Sequence, residues 1–198
     1  MCIRDRVYSA GSAVDWLVRV GLLTSSGALD EECGAPRVSS RVTCVPSFAG
    51  LGAPRWEPRA NAHFEGIDLS TTTGDIIWSV IDGIACQVAA VVAASESDVG
   101  SSLDVLRVDG GLTASRALMQ HQADVLQRPV EVFASPHATA LGVADLAHRG
   151  TGRGPLPSAA TTAGLRFEPR MSASEASERG ARFDAAADRA GDAARERR

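Results

Sequence analysis

The spacing of apolar residues predicts helices separated by short strands. The most regular stripe recurs every three or four residues and predicts one broad apolar face on a long helix; it comprises Ile76, Ile77, Val80, Ile81, Ile84, Val88, Val91 and Val92. Thr73 is the expected N-cap, and Asp75 falls in the first turn, where the helix dipole favours a negative charge. We expect this helix to end between Ser95 and Gly100.

Shorter versions of the same patterns predict the other elements. Further helices are expected over 11–23, 113–127 and 137–149, and strands over 41–48, 62–69, 105–109 and 129–134. Ser172 and Glu175 form a capping box for a last helix, which Gly180 should weaken and which should fray at its end. Because strands alternate with helices, the sequence predicts an α/β fold, with a mixed or parallel sheet flanked by helices.

A glycine pair joins one predicted strand to the helix after it. Behind Asp109, Gly110 and Gly111 lie at the amino end of that helix, where free N–H groups and the helix dipole favour an anion. Glycine also lets a phosphate approach the backbone, since no Cβ stands in the way. The alternative is an ordinary tight turn, and by these residues alone that interpretation is favoured.

Other polar residues carry weaker signals. Asp82 lies beside the apolar stripe, so a cap or a buried hydrogen bond is its expected role. The histidines are isolated along the chain and are expected to be packed or solvated; they are His63, His121, His137 and His148. The four cysteines form no CxxC pattern or Cys/His cluster, so neither a metal site nor a disulfide framework is predicted. We therefore expect a cytoplasmic protein whose cysteines are reduced.

Length and charge exclude several classes. A chain of 198 residues with 44% apolar content supports one domain with a packed core. The net charge of −4 gives no electrostatic footprint for nucleic acid. No signal peptide is evident at the start, and no apolar run is expected to span a membrane.

Several motifs in a fixed order resemble the carboxy-terminal domain of the FGGY carbohydrate kinase family. They are VPSFAGLGAPRWEPRA, AHFEGIDLSTTTGDIIWSVIDGIACQ, LRVDGGLTASRALMQHQADVLQRPVEV and HATALGVADLA. In the first motif, Arg55, Glu57 and Asn61 stand where the family commonly has Tyr, Asp and Gly. The resemblance runs from about residue 7 to about residue 189.

This resemblance implies an actin-like ATPase (ribonuclease H-like) fold. It assigns residues 7–150 to the family's C-terminal actin-like domain, and residues 151–198 to a linker and closing helix of the same domain. Residues 1–6 match nothing in the family and are interpreted as a non-native leader. The domain is accordingly expected to be incomplete at its N-terminus.

The resemblance also implies a nucleotide site. Gly11 and Gly111 match glycines that contact the nucleotide in the family, and Gly110 is grouped with Gly111. Ser115 stands where an asparagine is usual, and Asp15 replaces a glutamine. These five residues are the expected cofactor-binding set, and no catalytic residue or metal ligand is assigned.

The implied function is that of the nucleotide-binding half of a kinase that uses ATP and Mg²⁺ to phosphorylate a small polyol, with glycerol favoured by the GLGAPRW loop. The catalytic base, the phosphate loop and the polyol contacts are expected in a missing N-terminal part. The chain alone should bind nucleotide weakly or not at all and should phosphorylate nothing; it could form a homo-oligomer. The alternatives are a piece of another sugar kinase, such as a xylulokinase, and a non-catalytic actin-like nucleotide-binding domain.

Overall fold

A computed structural model describes residues 7–37, 40–135, 137–154 and 163–196 of the chain. The predicted leader and residues 155–162 of the predicted linker lie outside these ranges.

Helices and strands alternate along the described residues. The helices are α1 (Ala10–Arg19), α2 (Leu29–Glu32), α3 (Thr73–Val99), α4 (Arg116–Leu126), α5 (Ala138–Gly150) and α6 (Ala173–Glu196). The strands are β1 (Thr43–Val45), β2 (His63–Glu65), β3 (Leu106–Val108), β4 (Val130–Phe133) and β5 (Ala163–Phe167). Single 3₁₀ turns at Ser26–Ala28 and Gly111–Ala114 precede α2 and α4.

The long predicted helix is α3, with a start one residue earlier than expected. The N-cap is Thr72 and not Thr73, because Thr72 keeps an extended backbone and its side chain accepts a hydrogen bond from the Asp75 N–H. Asp75 in turn accepts from the Thr72 N–H, which completes a capping box. Gly100 adopts a left-handed conformation with φ of 74° and ends the helix.

Two small sheets stand in place of one. β1 and β2 pair in antiparallel fashion. In the second sheet β4 is central, parallel to β3 and antiparallel to β5, so the predicted mixed sheet is confirmed. β5 was not predicted, because its first residues fell in the predicted linker. Leu165 on this strand is half exposed, so the strand does not carry the pattern of a buried one. Its pairing with β4 defines this strand more than its own short sequence does.

The core forms around α3, which packs against α4, β1 and α1. Gly83 lets α3 approach β1 closely, because a Cβ at this position would overlap the carbonyl oxygen of Cys44. The buried stripe includes Ile77, Val80 and Ile81, as the sequence predicted. α3 therefore lies at the centre of the core, and these elements pack around it.

By length and hydropathy alone, α3 could cross a membrane, with a mean hydropathy of 2.0 over its most apolar window. The expectation that no apolar run is long enough to span a membrane is therefore wrong when judged by length and composition alone. However, 56% of that window is buried inside the protein. A core helix passes the same test, and the packing of α3 against its neighbours is that of a core helix.

α6 is continuous from Ala173 to Glu196, so Gly180 does not interrupt it and no frayed end is seen within the described residues. Small side chains let it lie against β1 and α4; those fully or almost fully buried are Ala186, Ala187, Ala190 and Ala194, around Phe183. Ion pairs add to this contact, since Arg55 binds Asp184 and Asp188 on α6.

Candidate functional site

A cavity of about 410 Å³ lies where three segments of the chain meet. They are the first half of α1, the turn into α2, and the turn before α4. Four of the five predicted cofactor-binding residues line this cavity: Gly11 and Asp15 from α1, and Gly111 and Ser115 from the last turn. The fold thus joins residues that are about 100 positions apart in sequence. Gly110 precedes Gly111 but is not part of the lining.

The two glycines of the turn differ in their conformation and surroundings. Gly110 has φ of 100°, a backbone conformation that side chains disfavour, so an ordinary tight turn accounts for it. Gly111 has no such constraint, and a Cβ built on it would meet no protein atom within 4 Å. The absence of a side chain at Gly111 therefore leaves open space at the cavity wall. This leaves room for a ligand beside the Gly111 backbone.

The amino end of α4 differs from the prediction. The helix begins at Arg116, and Ser115 is its N-cap, whose hydroxyl oxygen accepts from the Leu118 N–H at 3.1 Å. Asp30 binds the same end: its carboxylate accepts from the Arg116 N–H at 2.7 Å and from the Ala117 N–H at 3.3 Å. The expectation of free N–H groups facing an anion at this helix is therefore wrong, because an internal carboxylate already occupies the position.

Asp30 is the residue of this site that sequence reasoning missed. It contacts Ser115 across 85 positions, and the Ser115 hydroxyl donates to its Oδ1 at 2.5 Å. Asp30 also lines the cavity. No local pattern marked it, because none of the predicted helices, strands or motifs includes it.

The cavity wall combines apolar surface with acidic groups. Val14, Leu29 and Leu112 supply the apolar surface. Asp15 is exposed and has no hydrogen-bond or ion-pair partner within the described ranges. No arginine or histidine is among the described lining residues. The wall therefore suits an uncharged, partly apolar group with hydrogen-bond donors better than it suits a bare phosphate.

A buried polar cluster lies outside this cavity. His121 on α4 is buried, one of the two environments expected for it; its Nε2 is 2.7 Å from Asp82 Oδ1 on α3, and Arg179 lies 3.5 Å from the same oxygen. Burial alone would raise the pKa of Asp82; the hydrogen bond from His121 and the nearby arginines outweigh it, so the pKa is lowered. The expected buried hydrogen bond of Asp82 is confirmed, and it ties α3 to α4 and α6.

His63, also expected to be packed or solvated, is half-buried and paired with a carboxylate. Its Nε2 is 2.9 Å from Glu65 Oε1 on the same strand, and Glu65 binds Arg189 of α6. Neither residue lines the cavity. This group joins β2 to the closing helix.

Comparisons with known proteins agree with the fold. Residues 2–150 match the model of the FGGY family of carbohydrate kinases, C-terminal domain. The glycerol kinase of Alkalilimnicola ehrlichii is 39% identical over 195 residues, which cover 98% of this chain and 39% of that protein. The glycerol kinase of Myxococcus xanthus is 41% identical over 169 residues, covering 83% and 34% respectively.

Solved structures show the same relationship. A crystal structure of Plasmodium falciparum glycerol kinase with ADP superposes with a TM-score of 0.79 at 29% identity, over 93% of this chain and 37% of the other. The xylulose kinase of Rhodospirillum rubrum gives a TM-score of 0.69 at 27% identity, over 88% and 36%. The chain spans less than two fifths of the length of these relatives. The expected actin-like ATPase fold is confirmed, and the chain belongs to the FGGY family of carbohydrate kinases, whose C-terminal domain it carries.

Proposed function

We propose that this chain forms the nucleotide-binding half of an ATP-dependent polyol kinase that converts glycerol and ATP to glycerol 3-phosphate and ADP. The observation that carries the proposal is the single cavity that gathers Gly11, Asp15, Gly111 and Ser115. The family resemblance assigns these residues to the nucleotide without reference to their positions in space. Their convergence from two distant segments supports a common ligand.

The cavity has the properties that a nucleotide requires. Its volume of about 410 Å³ falls within the usual range of small-molecule pockets. Leu112 is half-buried and offers apolar surface for the face of a base, whereas Val14 and Leu29 line the cavity from the buried core. The open space beside Gly111 would let part of the nucleoside approach the backbone of the turn.

In the proposed reaction, this chain positions the donor. Its part is to hold the nucleoside between α1 and the turn before α4, and so to fix the direction in which the γ-phosphate faces the acceptor hydroxyl. The base that deprotonates that hydroxyl, and the loop that holds the phosphates, would come from the part of the relatives that this chain does not span. Closure of two such halves would exclude water from the transfer.

Mg²⁺ belongs to the proposal as the ion that neutralises charge on the transferred phosphate. Within the part of the chain that the structure describes, no group of three or more His, Cys, Asp or Glu side chains could hold a metal ion. We therefore assign no residue of this chain to the ion, and no step is derived through it.

Glycerol is the favoured acceptor because the two curated relatives at 39% and 41% identity are glycerol kinases. The 27% identity to a xylulose kinase structure supports the alternative, a sugar acceptor. A non-catalytic nucleotide-binding domain is the second alternative.

Cys33, Cys44 and Cys86 are unpaired, which is compatible with the proposed cytoplasmic location.

The test compares the 198-residue chain with the protein that its gene encodes in its native context. The chain alone, with ATP, Mg²⁺ and glycerol, is expected to release no ADP. The gene product is expected to release ADP only when glycerol is added. Turnover with xylulose but not with glycerol would keep the family and reject glycerol. Glycerol phosphorylation by the chain alone would show that no further part is needed.

A further inference from the structure

A small cavity beside α6 is lined by more positive than negative side chains. Its volume is about 30 Å³, and its described lining has no residue in common with the proposed nucleotide cavity. Arg37 reaches it from the segment before β1, and Arg179 and Arg182 reach it from α6. The acidic residues of the described lining are Asp75 and Asp82, both on α3.

Both of these carboxylates already have positive or hydrogen-bonding partners. Asp75 Oδ2 accepts from Arg37 Nη1 at 2.6 Å. Asp82 Oδ1 is 2.7 Å from His121 Nε2 and 3.5 Å from Arg179 Nη1. The two acids are therefore matched by Arg37, Arg179 and His121, and neither forms an ion pair with the remaining arginine of the cavity.

Arg182 is that remaining arginine. It is half-buried, and within the described ranges it makes no hydrogen bond or ion pair. Its Nε and that of Arg179 are shielded from solvent and have no acceptor among the described protein atoms. Because the two arginines are three residues apart on one helix, their side chains lie on the same face of α6.

These donors match one chemical class of ligand. A shielded N–H group without an acceptor is unfavourable, and so is a partly buried cation without a counter-charge. A guanidinium group binds an oxyanion most strongly, through two parallel N–H groups that face two oxygens. A small oxyanion would supply both the missing acceptors and the missing negative charge.

We propose that Arg179 and Arg182 form a binding site for a small oxyanion, a phosphate or carboxylate group, with Arg37 as a third positive group. The site is separate from the proposed nucleotide cavity and does not depend on the proposed function. A bound oxyanion would join α6 to the segment before β1, because residues of both line the cavity.

A neighbouring cavity would accommodate the rest of a larger ligand. Its volume is about 380 Å³, and its lining shares Arg37 and Asp75 with the small cavity. It adds Arg41, which is exposed and has no hydrogen-bond or ion-pair partner among the described residues. The side chains of Ser70 and Thr71 also line it, and they can bind polar groups of such a ligand.

The experiment uses the indole N–H of Trp78, which lines the small cavity and donates to the carbonyl oxygen of Gly34 at 3.0 Å. Its ¹⁵N NMR signal is followed in the 198-residue chain while sodium phosphate or sodium acetate replaces sodium chloride at constant ionic strength. The indole signals of Trp16 and Trp56 are internal controls, since neither residue is in the described lining of either cavity.

The titrations are repeated on Arg182→Gln and on a matched control, Arg19→Gln. The control removes the same charge from an exposed position on α1 that is not in the described lining of either cavity. Arg182→Lys is a third variant, which keeps the charge and loses the paired N–H groups. It provides the comparison if Arg182→Gln does not fold, which the indole spectrum of each variant checks directly.

We expect the Trp78 signal to shift saturably, with a dissociation constant of about 1–10 mM. Arg182→Gln should weaken this binding by about tenfold or more, as for hydrogen bonds to charged groups, and Arg182→Lys should weaken it by less. Arg19→Gln should retain it. Tighter binding of phosphate than of acetate would identify the group as a phosphate, and the reverse order would identify it as a carboxylate.

The proposal is overturned if neither salt shifts the Trp78 signal saturably at about 50 mM. It is also overturned if Arg182→Gln and Arg182→Lys bind as tightly as the unmodified chain, or if Trp16 and Trp56 shift equally. ADP binding at the glycines of the other cavity is measured separately, so this proposal and the proposed function can each fail without the other.

Discussion

The Ser115 hydroxyl donates a hydrogen bond of 2.5 Å to Asp30 Oδ1, although 85 residues separate them. This contact, together with the bonds from Arg116 and Ala117, attaches α2 to the first turn of α4. Both segments contribute residues to the lining of the cavity. Asp30 thus both caps a helix and joins two parts of the cavity wall.

Replacement of Asp30 by alanine should destabilise the chain by about 1–3 kcal/mol, because it removes a charged cap and leaves the Ser115 hydroxyl and two N–H groups without this acceptor. Urea unfolding measures the change. Glu31→Ala is the control, and we expect it to change stability by less than about 0.5 kcal/mol. In a double-mutant cycle with Ser115→Ala, a coupling below about 0.5 kcal/mol would contradict the contact.

Alanine substitutions at two separate glycines, Gly83 on α3 and Gly180 on α6, test the packing of α3. Gly83→Ala should destabilise the chain by about 1–3 kcal/mol, since the new Cβ would overlap the carbonyl oxygen of Cys44. Gly180→Ala, inside α6 with open space around it, should instead stabilise by about 0.5–1 kcal/mol. Thermal unfolding of both variants gives the comparison. Equal effects of the same sign would mean that α3 does not lie this close to β1.

Gly111 offers a way to fill the cavity without disturbing the fold. Because a Cβ there meets no protein atom, Gly111→Val should change stability by less than about 1 kcal/mol. The added side chain would occupy space beside the turn, so ADP binding, followed by saturation-transfer NMR, should be lost. The control is Gly180→Val on α6, where an added Cβ also meets no protein atom within 4 Å and which does not line the cavity. Unchanged ADP binding by the Gly111 variant would argue against this turn as part of the site.

Acid should weaken the attachment of α6 to β2. Hydrogen bonds from Arg189 lower the pKa of Glu65 from 4.5 to about 2, with partial burial opposing and His63 adding to the effect. Because the folded pKa is the lower one, the contribution of Glu65 to stability is complete above pH 4.5 and is lost as the pH falls towards 2.

The expected result is a smaller loss of stability for Glu65→Gln than for the unmodified chain between about pH 6 and about pH 3.5, measured as urea midpoints. Glu178→Gln serves as the control, since Glu178 is exposed and lies on α6, the helix that carries Arg189. It should show the acid sensitivity of the unmodified chain. If Glu65→Gln shows the same sensitivity, the Arg189 ion pair does not contribute measurably.

Local pattern was sufficient for the long elements and insufficient for those defined by distant contacts. The apolar stripe predicted α3 because burial of one continuous face determines the helix, and only its cap was displaced by one residue, from Thr73 to Thr72. α4 was predicted to begin near Thr113, but the 3₁₀ turn from Gly111 and the capping by Asp30 delay its start to Arg116. That delay depends on a residue from another segment, which periodicity cannot show.

The candidate site illustrates the same limit. The residues by themselves favoured an ordinary turn at Gly110 and Gly111, and only the family resemblance pointed to Gly11, Asp15 and Ser115. The fold then placed four of these five residues around one cavity. Asp30 and the Asp82–His121 pair could not be predicted, because each bond joins side chains dozens of positions apart without a shared motif.

The most direct test of the account is a titration of the ¹⁵N-labelled 198-residue chain with ADP. We expect weak, saturable shifts of the amides of Gly11, Gly27 and Gly111, which line the cavity, because one formed wall of the site is present. Gly180 and Gly191 of α6 should not shift. An absence of shifts at the three cavity glycines at millimolar ADP, or equal shifts at the α6 glycines, would contradict the assignment of this cavity to a nucleotide.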